Sequence, residues 1–172
     1  MEAFKPLTIH VITLSDRAFR GEYSDESGPM ISNLIYQFFA DKNWEIGIQN
    51  TIIPDEADEL EALLKADIAH KTDVVITTGG TGVGKRDITP EVAKKLIAKE
   101  VPGIMEHIRL KYGSEKPNAL LSRGVAGVTD DTQIYTLPGS LKAVKEYMGE
   151  ILKTLEHLVY MIHGIDTHGK SK

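Results

Sequence analysis

The segment DVVITTGGTGVGKRDITPE (residues 73–91) sets a strand, a loop and a helix start in direct succession. Val74-Val75-Ile76 is an unbroken apolar centre, the pattern of a short strand covered on both faces. A glycine-rich loop leaves its carboxyl end. Thr89-Pro90-Glu91 then reads as a helix start, with Thr89 as N-cap, Pro90 at the first helical position and Glu91 against the positive end of the dipole. A strand that hands over to a helix in this way belongs to a parallel sheet with crossover helices.

The same alternation extends in both directions along the chain. Leu7–Leu14 (LTIHVITL) is short and rich in β-branched residues, reads as a strand, and is ended by Ser15-Asp16-Arg17. Pro29–Ala40 carries Met30, Ile31, Leu34, Ile35, Phe38 and Phe39 at helical spacing. Glu45–Ile53 predicts a second strand ended by Pro54, and Ala57–His70 a helix with Leu60, Leu63, Leu64 and Ile68 on one face. The helix opened at Thr89 is expected to run to about Lys99. Another follows around Ile104–Tyr112, closed by Gly113, and then a less ordered stretch containing Ser122-Arg123-Gly124 and Gly127-Val128. Gln133–Leu137 reads as a late strand, Ser140 as the cap of an amphipathic helix from Leu141 to about Met161, and the final GIDTHGKSK as frayed. The expectation is one α/β domain over residues 1–172, ordered from about 7 to 163, with a mainly parallel sheet and helices on both faces.

Composition narrows the function. With 41% hydrophobic and 26% charged residues the chain reads as an ordinary soluble globular protein. No apolar run reaches the roughly 18–20 residues of a spanning helix, and Glu2 stands where a signal peptide is basic, so a cytoplasmic protein without membrane partners is expected. The absence of cysteine removes disulfides, thiolate metal sites and cysteine nucleophiles. A net charge of −5 argues against nucleic acid as a partner. His157, His163 and His168 form the closest histidine group, and at a helix end and tail solvation is expected rather than a metal site.

In open α/β sheets ligands bind outside the carboxyl ends of the strands. Ser15-Asp16-Arg17, Asp55, Gly79–Asp87 and Pro138-Gly139-Ser140 each directly follow a predicted strand, so four loops are expected to meet on one rim. Gly79 through Lys85 fit the first seven positions of the nucleotide-hydrolase pattern GxxxxGK[ST], but the hydroxyl position is Arg86 and the helix starts several residues too late. Gly79, Gly80, Gly82 and Gly84 are more than a turn requires, which points to a phosphate cradle. Lys85 and Arg86 beside it are candidates to offset the charge of a leaving group, or are solvated. Asp55 and Asp87 suit Mg²⁺, which takes one or two carboxylates with phosphate oxygens and water. Each has a structural alternative, Asp55 as a helix cap and Asp87 as the cap of a turn. Ser15, Asp16, Ser122 and Ser140 are open to the same alternative.

Six motifs in order carry a resemblance: SDRAFRGEYSDESGP (15–29), IIPDE (52–56), TTGGTGVGKRDITPE (77–91), VPGIMEHIR (101–109), LLSRGVAG (120–127) and LPGS (137–140). Together they resemble the MogA/MoaB family of molybdenum-cofactor biosynthesis, over roughly residues 7 to 160; Ile104 stands where the family often has Phe, and GEYSDESGP is closer to MogA. The resemblance implies a three-layer α/β/α domain, usually a homotrimer with hexamers among MoaB members. It implies a molybdopterin adenylyltransferase with ATP and molybdopterin as substrates, Mg²⁺ as cofactor, and hand-over to a molybdenum insertase. It carries the two catalytic aspartates onto Asp55 and Asp87, which chemistry assigns to Mg²⁺ binding and orientation. The nucleotide and phosphate site falls on Thr78, Gly79, Gly80, Thr81 and Gly82. The pterin or nucleotide rim falls on Ser15, Asp16, Glu106, Ser122, Pro138, Gly139 and Ser140. Two other readings stand beside it: a MoaB-like molybdopterin-binding protein without the reaction, and an unrelated nucleotide hydrolase.

Overall fold

Alternation within one central strand divides the core in two. Leu7, Ile9 and Val11 face one side of the sheet, and Ile12 and Leu14 the other. The structure, a computed structural model, describes residues 5–42 and 44–164. Its sheet has four parallel strands, β1 (Leu7–Leu14), β2 (Ile46–Ile53), β3 (Val74–Thr78) and β6 (Thr132–Leu137), extended by the short strands β4 (Lys99–Glu100) and β5 (Ala126–Thr129). The order is β2-β1-β3-β6-β5-β4, with β5 antiparallel to β6 and β4 antiparallel to β5.

The helices are α1 (Asp16–Phe19), α2 (Ser27–Phe39), α3 (Ala57–His70), α4 (Thr89–Leu96), α5 (Pro102–Gly113) and α6 (Leu141–Ile162), with a 3₁₀ turn at Pro117–Leu121. Ile31, Ile35 and Phe39 of α2, Met105 and Ile108 of α5, and Val144, Met148, Ile151 and Leu155 of α6 cover one face. Leu60 and Leu64 of α3 with Val92 and Ala93 of α4 cover the other. This is a three-layer α/β/α arrangement, and burial on both faces explains why all five residues of β3 are buried. A polar bond set ties three elements near the edge: buried His10 on β1 meets Asp67 of α3 at 2.7 Å through Nδ1 and Thr51 of β2 at 2.8 Å through Nε2.

The chain departs from the sequence expectations in three places. The helix expected to reach Lys99 stops at Leu96, because Ile97 turns extended and the Ala98 amide donates to the Thr129 hydroxyl at 2.8 Å, drawing Lys99–Glu100 into β4. β5 lies inside the stretch expected to be less ordered. Gly127 makes that pairing possible: a Cβ there would stand 2.7 Å from the Lys99 carbonyl oxygen. Thr89 is not the N-cap of α4; Ile88 takes that position, and the Thr89 hydroxyl instead donates to the Gly79 carbonyl at 2.9 Å. His168 and the expected frayed end lie outside the described residues, apart from Gly164. His163 sits 3.4 Å from Asp73, and among the described residues no group of three or more His, Cys, Asp or Glu is placed to hold a metal ion. None of the described helices is long and apolar enough to cross a membrane.

Candidate functional site

The carboxyl ends of β1, β3 and β6 open onto a cleft of about 580 Å³. Ser15, Asp55, Thr78, Gly80, Asp87 and Gly139 line it, as do Lys85 and Arg86, so the four expected loops do meet on one rim. Hydrogen bonds fasten them together. The Gly79 amide donates to the Leu137 carbonyl at 2.9 Å, and the Thr78 hydroxyl to the Pro138 carbonyl at 2.8 Å.

Asp55 and Asp16 hold each other through their backbones. The Asp55 amide donates to Asp16 Oδ1 at 3.0 Å, and the Asp16 amide to Asp55 Oδ2 at 3.1 Å. Arg86 reaches across from the glycine-rich loop, donating to both oxygens of Asp16 at 2.7 and 3.0 Å and to Glu56 at 2.8 Å. Arg86 is therefore paired, while half of its side chain stays exposed to solvent. Its guanidinium, with help from the Asp55 amide, holds the Asp16 carboxyl below its ordinary value. Asp55 moves the other way. Partial burial raises it, the Asp16 amide opposes, and the charges of Asp16 and Asp87 raise it further. Asp55 does not cap α3, whose N-cap position is Glu56 and lacks a side-chain bond.

Asp87 does close a turn, since its amide donates to the Gly84 carbonyl at 3.1 Å and its Oδ2 accepts the Gly84 amide at 2.7 Å. The glycines now have individual reasons. Gly79 and Gly80 adopt φ of +104° and +66°, which β-carbon-bearing residues avoid. A Cβ on Gly82 or Gly84 would stand 2.8 or 2.9 Å from Asp87 Oδ2. Half of the glycine density thus clears space for one carboxylate rather than for a ligand.

Four expected rim or phosphate residues stand away from this cleft. Glu106 is exposed on α5, because Met105 and Ile108 take the buried face of that helix. Thr81 is buried and faces Ser122, with their hydroxyls 3.4 Å apart. Ser122 itself lines a separate hollow of about 350 Å³. Ser140 is exposed at the start of α6, its side chain accepting the Ala143 amide at 3.2 Å. The structure adds Asp25 and Ser27 to the cleft wall. Asp25 accepts the Ser27 and Gly28 amides at 3.0 and 3.2 Å and the Thr13 hydroxyl at 2.7 Å, and Ser27 donates to the Gly139 carbonyl at 2.8 Å. Their position inside GEYSDESGP, at the start of a helix rather than after a strand, hid them from a search of strand ends.

The donor set fits a hard divalent cation. Each aspartate spends Oδ2 on a backbone amide, and among the described residues Oδ1 of each has no hydrogen-bond partner. Burial raises Asp55 most, the charge of Asp87 adds a small further rise, and a cation held by Asp55 and Asp87 would relieve that repulsion.

Residues 10–157 match the protein family described as "Probable molybdopterin binding domain". The chain is 38% identical over 157 residues to "Molybdenum cofactor synthesis protein cinnamon" of Drosophila melanogaster, covering 91% of this chain but only 26% of that protein. It is 36% identical over 160 residues to "Molybdopterin adenylyltransferase" of Helicobacter pylori strain J99, covering 91% of this chain and 89% of that one. Among solved structures, one titled "anomalous substructure of MogA" superposes with a TM-score of 0.81 at 31% identity, over 90% of this chain and 98% of that one.

Proposed function

Because the chain belongs to the molybdopterin-binding-domain family, with a role in molybdenum-cofactor biosynthesis, we propose that it is a molybdopterin adenylyltransferase. The reaction joins the pterin phosphate to the AMP of ATP: a phosphate oxygen bonds to the α-phosphorus as the bond to the β-phosphate breaks, and pyrophosphate leaves. This reading is carried by one observation, the placement of Asp55 and Asp87 on one cleft at the strand ends, close enough for the charge of one to act on the other. It treats the chain as one domain, ordered from about 7 to 163, acting in the cytoplasm as a homo-oligomer.

A phosphate nucleophile is ionised at neutral pH, so neither aspartate has a proton to remove. Their work is to hold and orient, in a reaction whose catalysis is positioning and charge neutralisation. Oδ1 of Asp55 and Oδ1 of Asp87 would hold Mg²⁺, which when bound offsets the charge shared by the reacting phosphates. Asp16 fixes the Asp55 loop, and Gly84 fixes the Asp87 carboxylate. Lys85, on the cleft wall, supplies a further positive charge toward the departing pyrophosphate.

Incubation with molybdopterin, ATP and Mg²⁺, followed by chromatography of the pterin and assay of pyrophosphate, tests the reading. Adenylylated molybdopterin with equimolar pyrophosphate is expected. Pterin binding without product would instead make the chain a binding protein, and phosphate release from ATP alone would make it a hydrolase.

A further inference from the structure

Arg123 lies outside the cleft, in the segment that leads into β5, yet it touches the glycine-rich loop at both ends. Its amide donates to the Thr81 carbonyl at 2.9 Å. Its Nε donates to the Gly82 carbonyl at 2.7 Å, and its Nη2 to the Asp87 carbonyl at 3.0 Å. Nη1 pairs with the Glu91 carboxylate in the first turn of α4. The side chain reaches these groups from the hollow that it shares with Glu91 and Ser122, which Asp55 does not line.

We propose that Arg123 is a positioning residue for adenylyl transfer: its guanidinium, working from that hollow, holds the Gly82 and Asp87 carbonyls and so aims the Asp87 carboxylate into the cleft. Asp87 has three polar connections that fix its direction. Gly84 supplies two at its amide and carboxylate, but Gly84 is itself an exposed residue of the same loop. The bond from Arg123 ties Asp87 to the rest of the fold, since Arg123 is rooted beside buried Gly124 and Val125, where the chain enters β5 against β6. Only a planar fork with donors on three nitrogens spans Gly82, Asp87 and Glu91 together; an ammonium is a single point and cannot.

The activity readout rests on the proposed transfer reaction, so the test includes one readout that does not. In Arg123→Lys, hydrogen exchange of the peptide covering 82–87 is expected to speed up about tenfold while β1 and β3 keep their protection. The rate of adenylylation is expected to fall about 10–100-fold with KM for ATP nearly unchanged, because misplacement by an ångström costs on that scale. Combining Arg123→Lys with Asp87→Asn should add almost nothing to Asp87→Asn alone, because Arg123 acts through Asp87. Glu91→Gln, which keeps both carbonyl bonds available, should retain most of the activity. Arg123→Gln, which leaves only the half-exposed Glu91 carboxylate without its partner, replaces the lysine variant if that one loses protection in the core strands. Unchanged loop exchange in the arginine variant, or losses that multiply in the double variant, overturns the proposal. A wild-type protein that forms no adenylylated pterin sinks the enzymatic reading instead, and the exchange result still decides whether the guanidinium holds the loop.

Discussion

Asp16 and Asp55 are joined by two reciprocal bonds, each backbone amide donating to the other's carboxylate, at 3.0 and 3.1 Å. Two like charges are thereby held together at the mouth of the cleft, and Arg86 is the cation that makes the arrangement tolerable. Removing Arg86 should be felt at Asp55. Burial and its acidic neighbours already raise the Asp55 carboxyl, and loss of the guanidinium raises it further. Since the proposed role needs the ionised form, the acid limb of the pH–rate profile should move to higher pH in Arg86→Ala, with Arg86→Lys between. An acid limb that stays in place in the alanine variant would falsify the assignment of that limb to Asp55.

At Asp87, charge and turn geometry separate in two substitutions. Asp87→Asn keeps an oxygen for the Gly84 amide but loses the charge; Asp87→Ala loses both. Both should slow product formation on the order of 100-fold or more. Only the alanine variant should lose stability, by about 1 kcal/mol, the net contribution of such a bond. Rates come from product assays and stabilities from urea titration. Near-normal turnover in the asparagine variant would remove the Asp87 charge from the mechanism.

Gly82→Ala tests the reason for the glycines. The new methyl would sit 2.8 Å from Asp87 Oδ2, so the carboxylate must turn. Activity should drop about tenfold or more, as for other small misplacements, while the urea midpoint stays close to that of the parent. If turnover is unaffected, the clearance around Asp87 has no catalytic meaning.

Glu150 gives a pH-dependent stability prediction far from the cleft. Lys111 at 2.6 Å, then Lys153 at 2.9 Å, with a smaller contribution from His107 at 3.1 Å, hold this buried carboxyl at about 2, against an ordinary 4.5. A lowered folded-state value stabilises above the unfolded carboxyl's titration, and that stability is lost as pH falls from about 4.5 towards about 2. The three partners are 45%, 64% and 60% exposed. Screening therefore limits the contribution to about 1 kcal/mol. Glu150→Gln should unfold more easily than the parent at pH 7 by about that amount, and the two urea curves should converge towards pH 2. A constant difference across the range would show that packing, not charge, accounts for the effect.

The parts legible in sequence were those governed by strong local periodicity. Leu7–Leu14 and Ala57–His70 have the bounds that their patterns predict, and the rule that ligands sit at strand ends brought four loops to one rim. What stayed hidden depends on direction. β5 runs antiparallel to β6, so it is the residues before β5, not after it, that arrive at the glycine-rich loop. A search of segments that follow strands passes over Arg123 for that reason, and over Asp25 because it precedes a helix. The meaning of the glycines was hidden too, because a carboxylate five residues downstream of Gly82 is the group that needs the room.

The two carbonyls held by Arg123 also act as a ruler. The chain leaves one guanidinium nitrogen at Gly82 and returns to another at Asp87, so the path through Val83, Gly84, Lys85 and Arg86 has its two ends set a fixed interval apart. Side chains on the outside of that path, such as Val83 at 75% exposure, are open to exchange. Its length is not: an inserted or deleted residue has to break one grip or the other. The spacing between Gly82 and Asp87 is thus measured by the width of a side chain more than thirty residues away in sequence, and a change of count there is a change of register for the carboxylate that the loop carries.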